Sequence, residues 1–402
     1  MARPVVMFSP LPPAKSGIAD YMLELLPALA ESREIVVVCE RVPEPAARAA
    51  AASGGRWRAV TQAEYADERA LAACPHVYQI GNNGDHVFAY RAFRERPGIL
   101  VQHDFNLHYL VEDATLVAGD KDAYRDVLAE EYGPSGAALA DLRHVGLFSE
   151  AQKISLPVNT HLVHQARGVI VHSRWVYERL PAGAHARTTV LPHHFAPQAL
   201  AYDELPQHEA REALGLPADT FVVLSLGYIT PPKQIQCTLA ALAMLRRRGA
   251  RFHFVIGGER NAGFDIDAHI QRHGLEDCVT VTGFLDEDTF FRHIVAADAL
   301  VNLRYPSVGE SSGTLARAMA LGLPAIIHNF GPFAEAPDDT VIKVPLELGE
   351  PQALAQALEH LMLHPAARAR IGQAARRFMR EHCSVQHSAT QYHDLIDHLY
   401  AR

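Results

Sequence analysis

The chain has 402 residues, 49% of them hydrophobic and 21% charged, with a formal net charge of −9. That balance excludes a disordered chain, and because neither half carries an excess of Lys and Arg it argues against nucleic acid as a main partner. Length alone points to two domains of roughly 150–200 residues each.

The chain opens on MARPVVMFSPLPP, whose apolar run is too short for a secretory signal and reads as a buried first strand. Further β-branched runs follow at Glu34–Cys39, Val77–Ile80, Ile99–Gln102 and Val169–His172, separated by longer stretches. A helix from Ile18 to Ala30 has apolar residues at Ile18, Met22, Leu25, Leu26 and Leu29, a period near 3.6. Glu40–Arg58 reads as an exposed connection with little core, and Glu112–His144 as charged helices capping a cleft or the outer face. Prolines and lost periodicity around His193–Pro206 mark a linker, placed at 196–206 between an N-terminal domain (1–195) and a C-terminal one (207–382).

Alternation then restarts. Strands are predicted at Phe221–Leu226, Phe252–Gly257, Val279–Thr282, Ala299–Leu303 and Pro324–His328, with helices at Gln234–Arg248 and Gly313–Ala320. Helices at Pro351–His364, Ala366–His382 and Val385–Tyr400 close the chain, and residues 383–402 are expected to pack back on the N-terminal domain. Strands alternating with helices imply an α/β chain with parallel sheets. No stretch reaches the ~18 unbroken apolar residues of a spanning helix, so a cytoplasmic protein is expected, with peripheral contact at the inner face of a membrane left open. Five scattered cysteines without Cys-x-x-Cys spacing imply neither disulfides nor structural zinc. The histidine pairs His193-His194 and His103 with His108 lack a carboxylate or Cys at ligand spacing, so no metal site is expected.

Ligands of open α/β sheets gather at the carboxyl ends of the strands, and four loops there carry unusual residues. In Ser9–Gly17, Ser16 and Gly17 stand at a helix start, where free N–H groups favour an anion; an ordinary N-cap fits equally. His103 follows an apolar strand, and its ring either meets a ligand hydroxyl or is satisfied within the fold. In the loop Gly227-Tyr228-Ile229-Thr230-Pro231-Pro232-Lys233, a lysine is expected to begin a helix after a Pro-Pro turn. A cation there is unfavourable without an anion beside it, which suggests phosphate; a solvated lysine is the alternative. In the fourth loop, Ser311, Ser312 and Gly313 open a helix and offer donors to a diphosphate, with Arg304 and Arg317 adding charge; a capped loop with surface arginines is the plainer reading.

Together these segments resemble the retaining glycosyltransferases of family 4, which have the GT-B fold of two Rossmann-like domains with parallel sheets facing across a cleft. The resemblance runs through Ser16–Tyr21, His172-Ser173-Arg174-Trp175, Gly227–Lys233, Thr282–Leu285 and Gly309–Ile326 in that order. It implies transfer of a sugar from a nucleotide-diphosphate sugar to an acceptor hydroxyl, in glycan or polysaccharide biosynthesis. His103, Lys233 and Glu310 would be catalytic. The donor would be bound by Ser16, Gly17, Gly227, Tyr228, Gly283, Phe284, Leu285, Arg304, Ser311, Ser312, Gly313 and Arg317. Closure of the two domains would assemble the site, with no metal or other cofactor. The donor would be a UDP- or GDP-sugar, the base undetermined, and the acceptor a glycan, a lipid-linked sugar or a small molecule.

Two departures stand out. The family carries Arg where this chain has Tyr228, and a pair of glutamates, the second just before Ala-Met-Ala. Arg317 occupies that second place, and Glu310 is matched to the first glutamate with the spacing shortened by one residue. An epimerase or phosphorylase of the same architecture, or a silent nucleotide-sugar-binding protein, remains as an alternative. A nicotinamide oxidoreductase is disfavoured because the Gly-x-Gly-x-x-Gly fingerprint is absent.

Overall fold

A computed structural model describes residues 3–14, 16–347 and 349–400, which fold as two compact units. Unit 1 runs to His193 and includes the short segment Val308–Ser311 and the C-terminal helix Val385–Tyr400. Unit 2 comprises His194–Ser307 and Ser312–Ser384. Among the described residues no helix is long and apolar enough to cross a membrane.

Unit 1 is built on a seven-stranded parallel sheet. Its strands are β1 (Val5–Phe8), β2 (Ile35–Cys39), β3 (Trp57–Thr61), β4 (His76–Ile80), β5 (Ile99–Gln102), β6 (Gly168–Val171) and β7 (Thr188–Val190), in the order β3-β2-β1-β4-β5-β6-β7. Strand residues alternate between two cores: Val6 and Phe8 join one apolar cluster, Val5 and Met7 the other. Burial on both faces explains why the central strands read as unbroken apolar runs. The C-terminal helix sends Val385, Ala389, Tyr392 and Ile396 into the second cluster beside the helix Gly17–Leu29. Gly168 permits that approach, since a Cβ there would lie 2.5 Å from Leu399 Cδ1.

Unit 2 repeats the plan with β8 (Phe221–Leu226), β9 (Phe252–Gly257), β10 (Val279–Gly283), β11 (Ala299–Asn302), β12 (Ala325–His328) and β13 (Val341–Val344), all parallel, in the order β10-β9-β8-β11-β12-β13. This is the doubly wound order, and its direction reverses between β8 and β11. A crevice for ligands opens at such a reversal, at the carboxyl ends of the strands.

The structure corrects the reading of Glu40–Arg58. That stretch holds the helix Glu44–Ala52, with Ala46 and Ala50 buried, and the start of β3. Alanine is the strongest helix former, so this run folds with little large apolar content. β3, β7 and β13 were all unpredicted, and all three are sheet edges with partly exposed residues in place of an apolar run. His193–Pro206 contains a 3-10 turn at Pro197–Tyr202, with Phe195, Ala196 and Ala199 buried in a core of unit 2. Glu112–His144 forms helices whose Tyr124, Val127, Leu128 and Ala140 join the first core of unit 1.

Two buried histidines make unit 1 sensitive to acid. Burial pushes the imidazoles of His76 and His86 down from 6.5 to about 4, although each ring meets a backbone carbonyl. Both fold neutral, whereas the unfolded chain protonates them near pH 6.5. Their contribution is therefore complete above that value and is lost as pH falls towards 4. Urea midpoints should be lower at pH 5 than at pH 7, and His86→Gln should narrow the gap. Equal midpoints in the parent protein would contradict this.

Candidate functional site

The richest constellation lies in unit 2, where β8 and β11 diverge. β8 runs straight into Gly227, whose φ of +97° belongs to the region that favours glycine. A Cβ there would sit 2.5 Å from Lys233 Nζ, and a Cβ on the neighbouring Gly258 would strike Gly227 O at 2.1 Å. The glycines therefore let two strand ends and an ammonium crowd together. Lys233 does not begin a helix, contrary to expectation. It closes the 3-10 turn Pro231–Lys233, Gln234 follows in the left-handed region, and the helix starts at Ile235. The Lys233 ammonium folds back and donates to the carbonyl of Leu226. The Pro-Pro turn sets that reversal, so the charge is held over the end of β8.

Facing this from β11 is the N-terminus of the helix Gly313–Ala320. Ser312 caps it, accepting from Leu315 N at 3.2 Å and donating to Asn302 Oδ1 at 3.2 Å. Asn302, 6% exposed, has an Nδ2 that is buried without a hydrogen-bond partner. A buried donor left unpaired costs roughly 1–3 kcal/mol, so a ligand oxygen at this point would be favoured. Thr314 lies near Gly227 and Lys233, its Oγ1 4.0 Å from the Cβ position of Gly227. Arg317 stands one turn into the helix on the face of Gly313, and side chains there lean back towards the N-terminus. An ammonium, a helix start, an orphan amide and an arginine form a set of donors suited to a polyanion.

The exposed Phe and Tyr side chains among the described residues collect on this same edge. They are Tyr228 (44%) after β8, Phe284 (70%) after β10, Tyr305 (43%) after β11 and Phe330 (36%) after β12. Tyr228 OH donates to Glu259 Oε2 at 3.0 Å. Gly283, with φ +77°, pairs with Gly258 in a bridge, and Leu285 packs over Gly257. The loop after β11 is clamped from the β8 side, because Tyr305 N donates to Pro232 O at 2.8 Å and Gln234 Nε2 to Tyr305 O at 2.7 Å.

Unit 1 holds the remaining residues. Ser16 caps the helix Gly17–Leu29, accepting from Ile18 N at 3.3 Å. Gly17 is exposed with open space around its Cβ position, so its own packing does not require glycine. Lys15 lies outside the described residues. His103, at the end of β5, is buried, and both ring nitrogens meet protein: Gln79 Oε1 at 2.7 Å and His172 Nε2 at 3.0 Å. Gln79 Nε2 in turn lies 3.3 Å from Tyr392 OH, which contacts Tyr21 OH at 3.3 Å. Of the two readings of His103, these bonds favour the ring satisfied within the fold. Glu310 and Ser311 belong to the segment packed in unit 1. There Val308 O accepts from Asn106 N at 2.8 Å, Gly309 seats against Phe105 and Trp175, and Glu310 Oε2 accepts from Val308 N at 2.8 Å.

Sequence reasoning missed Asn302, Gly258 and Thr314. The doublet Gly257-Gly258 at a strand end was a readable sign of close approach, whereas a single Asn ending an apolar strand carries none.

Residues 206–378 match the family model described as Glycosyl transferases group 1, so unit 2 carries a domain of that kind. The chain is 31% identical over 173 residues to an alpha-D-kanosaminyltransferase of Streptomyces kanamyceticus, covering 43% of this chain and 44% of that protein. It is 33% identical over 180 residues to a D-inositol 3-phosphate glycosyltransferase of Saccharomonospora viridis, covering 42% and 40%. The chain thus spans less than half the length of the curated relatives it matches. Among solved structures, the sucrose-phosphate synthase of Thermosynechococcus elongatus superposes with a TM-score of 0.68 at 18% identity, covering 99% of each chain. HepE of Anabaena, solved with UDP and glucose, gives 0.66 at 16% identity, covering 98% of this chain and 99% of that one. The fold is therefore GT-B, with two Rossmann-like units built on parallel sheets.

Proposed function

We propose that the chain is a glycosyltransferase that uses a nucleotide-diphosphate sugar. The observation that carries this reading is the buried, unpartnered Asn302 amide at the N-terminus of the helix Gly313–Ala320, whose Thr314 borders Gly227, as Lys233 does, at the β8–β11 reversal. Breaking the anomeric C–O bond leaves negative charge on the departing diphosphate and positive charge on the sugar. Lys233, the amides of Ser312 and Gly313, and the arginines Arg304 and Arg317 are assigned to the diphosphate. Donors fixed before reaction stabilise such a transition state without reorganising. Tyr228 replaces the family's arginine, and Arg317 restores a positive charge. The loop Gly283-Phe284-Leu285 is assigned to the base, with Phe284 as its stacking face. In unit 1, Ser16 and Gly17 are read as an anion contact and Glu310 as a partner for sugar hydroxyls. His103, in this reading, orients the sugar or acceptor through Gln79 and His172, which its ring contacts. Lysine and helix amides supply the charge that a metal would otherwise bring, so metal-independent transfer is the proposed chemistry; retention is taken from the resemblance to family 4 alone. UDP and GDP remain the candidate nucleotides.

The test is turnover with UDP- and GDP-sugars in the presence and absence of acceptor glycans, followed by mass spectrometry. The proposal expects nucleotide diphosphate release that depends on the acceptor. A rearranged donor without acceptor would point to an epimerase, and binding without any product to a silent receptor. Arg317→Ala is expected to raise the donor KM or lower kcat by about tenfold or more, the worth of a hydrogen bond to a charged group. Wild-type kinetics in that variant would remove Arg317 from the site.

A further inference from the structure

β12 ends on His328, a residue no motif singled out. Its ring is fully buried, with Nε2 2.8 Å from Glu350 Oε1. Nδ1 lies 3.2 Å from Arg304 N and 3.1 Å from Arg304 O. Glu350 is the first residue of the helix Glu350–Leu363, where a carboxylate is favoured by free N–H groups. From the first turn of the helix Ile235–Arg247, the Cys237 thiol comes close to Glu350. Burial, with Glu350 adding to it, pushes that thiol well up, so it stays protonated. A carboxylate accepts, so His328 presents Nε2–H to Glu350. In the tautomer that gives Nε2–H to Glu350, Nδ1 is the acceptor for the N–H of Arg304.

That bond falls where the sheet has stopped. The β11–β12 ladder pairs Asn302 with Ile327 and goes no further, so the His328 ring takes over as a partner for the Arg304 backbone. Pro232 and Gln234 hold Tyr305, the next residue, from the other side. An aliphatic side chain would fill the same buried space without the cost of burying an imidazole and a carboxylate, so packing alone is a poor account of this pair.

We propose that His328, held by Glu350, is a positioning residue for the Arg304–Ser307 loop, and so for the contact of Arg304 with the donor's phosphates. This rests on the reading of Arg304 as a phosphate partner. Two variants of the full chain separate the halves of the relay. His328→Gln keeps a donor towards Glu350 and loses the acceptor for Arg304 N; His328→Asn keeps that acceptor and loses the donor. Amide hydrogen exchange over residues 304–307 and calorimetric titration with UDP, GDP, uridine and guanosine would be measured on each.

In His328→Gln, exchange over the loop should quicken and diphosphate affinity should fall, each by up to about tenfold, the worth of one neutral hydrogen bond. Nucleoside affinity should hold, and His328→Asn should restore both. Unchanged exchange in His328→Gln would overturn the positioning role whether or not any nucleotide binds. Equal damage in the two variants would overturn it in favour of packing. Equal loss for nucleosides and diphosphates would overturn the phosphate link. A parent chain that binds no nucleotide would overturn that link and the donor reading together, leaving exchange to judge the positioning role alone.

Discussion

Lys233→Ala is expected to lower kcat/KM for the nucleotide sugar by about 10²–10³-fold, comparable to losing one preorganised donor to a developing anion. The size follows from how firmly the ammonium is held. The Pro231-Pro232 turn reverses the chain, the carbonyl of Leu226 accepts from Nζ, and Gly227 leaves room that no other residue leaves. Lys233→Arg should recover little, because a planar guanidinium cannot occupy the space above Gly227 that a compact ammonium fills. The melting temperature should barely change, since Lys233 is only part-buried and lies outside the core clusters of unit 2. Near-normal turnover in Lys233→Ala would show that the charge is not aimed at the leaving group.

The opposite edge of the same sheet should give the opposite result. Asp298, just before β11, is buried and accepts from Arg211 Nη2 at 2.6 Å and from Val222 N at 2.8 Å. Arg211 is buried as well and donates further to Ala296 O and Ala218 O. Asp298→Ala would strand a buried guanidinium and a backbone N–H, and breaking one side of such a pair costs about 3–5 kcal/mol. Unit 2 should therefore unfold at a markedly lower urea concentration, while nucleotide affinity of the folded fraction stays as in the parent. A midpoint shift worth less than ~1 kcal/mol would mean that the pair is screened like a surface bridge.

The contrast between the edges follows the logic by which the sequence could be read. The central strands β1, β4, β5, β8, β9 and β11 were legible because burial on both faces leaves unbroken apolar runs. Three of the four edge strands, β3, β7 and β13, were not, since a half-exposed run such as Trp57–Thr61 looks like loop; the fourth, β10, was predicted at Val279–Thr282. Of the candidate site, Gly227, Ser312 and Gly313 were singled out from their loops alone, whereas Gly283 entered only through the family resemblance. Lys233 was located, but its setting was not, because the left-handed Gln234 displaces the helix start by two residues. Asn302 and His328 stayed hidden because each is one polar residue ending an apolar strand. What distinguishes them is a partner far along the chain: Ser312 for Asn302, Arg304 and Glu350 for His328. His103 was ambiguous in sequence, and its two ring contacts came from Gln79 and His172, residues that local spacing cannot join to it.

The most direct test of the central claim is thermal stabilisation by UDP, GDP, their sugars and unrelated nucleotides, measured on the parent chain and on Lys233→Ala. Ligand at ~100 times its Kd adds about 2.7 kcal/mol to the folded state, a shift of several degrees. A selective rise with one diphosphate nucleotide, lost in Lys233→Ala, is the predicted result. Failure of every nucleotide to shift the parent chain would contradict a donor site at the β8–β11 reversal.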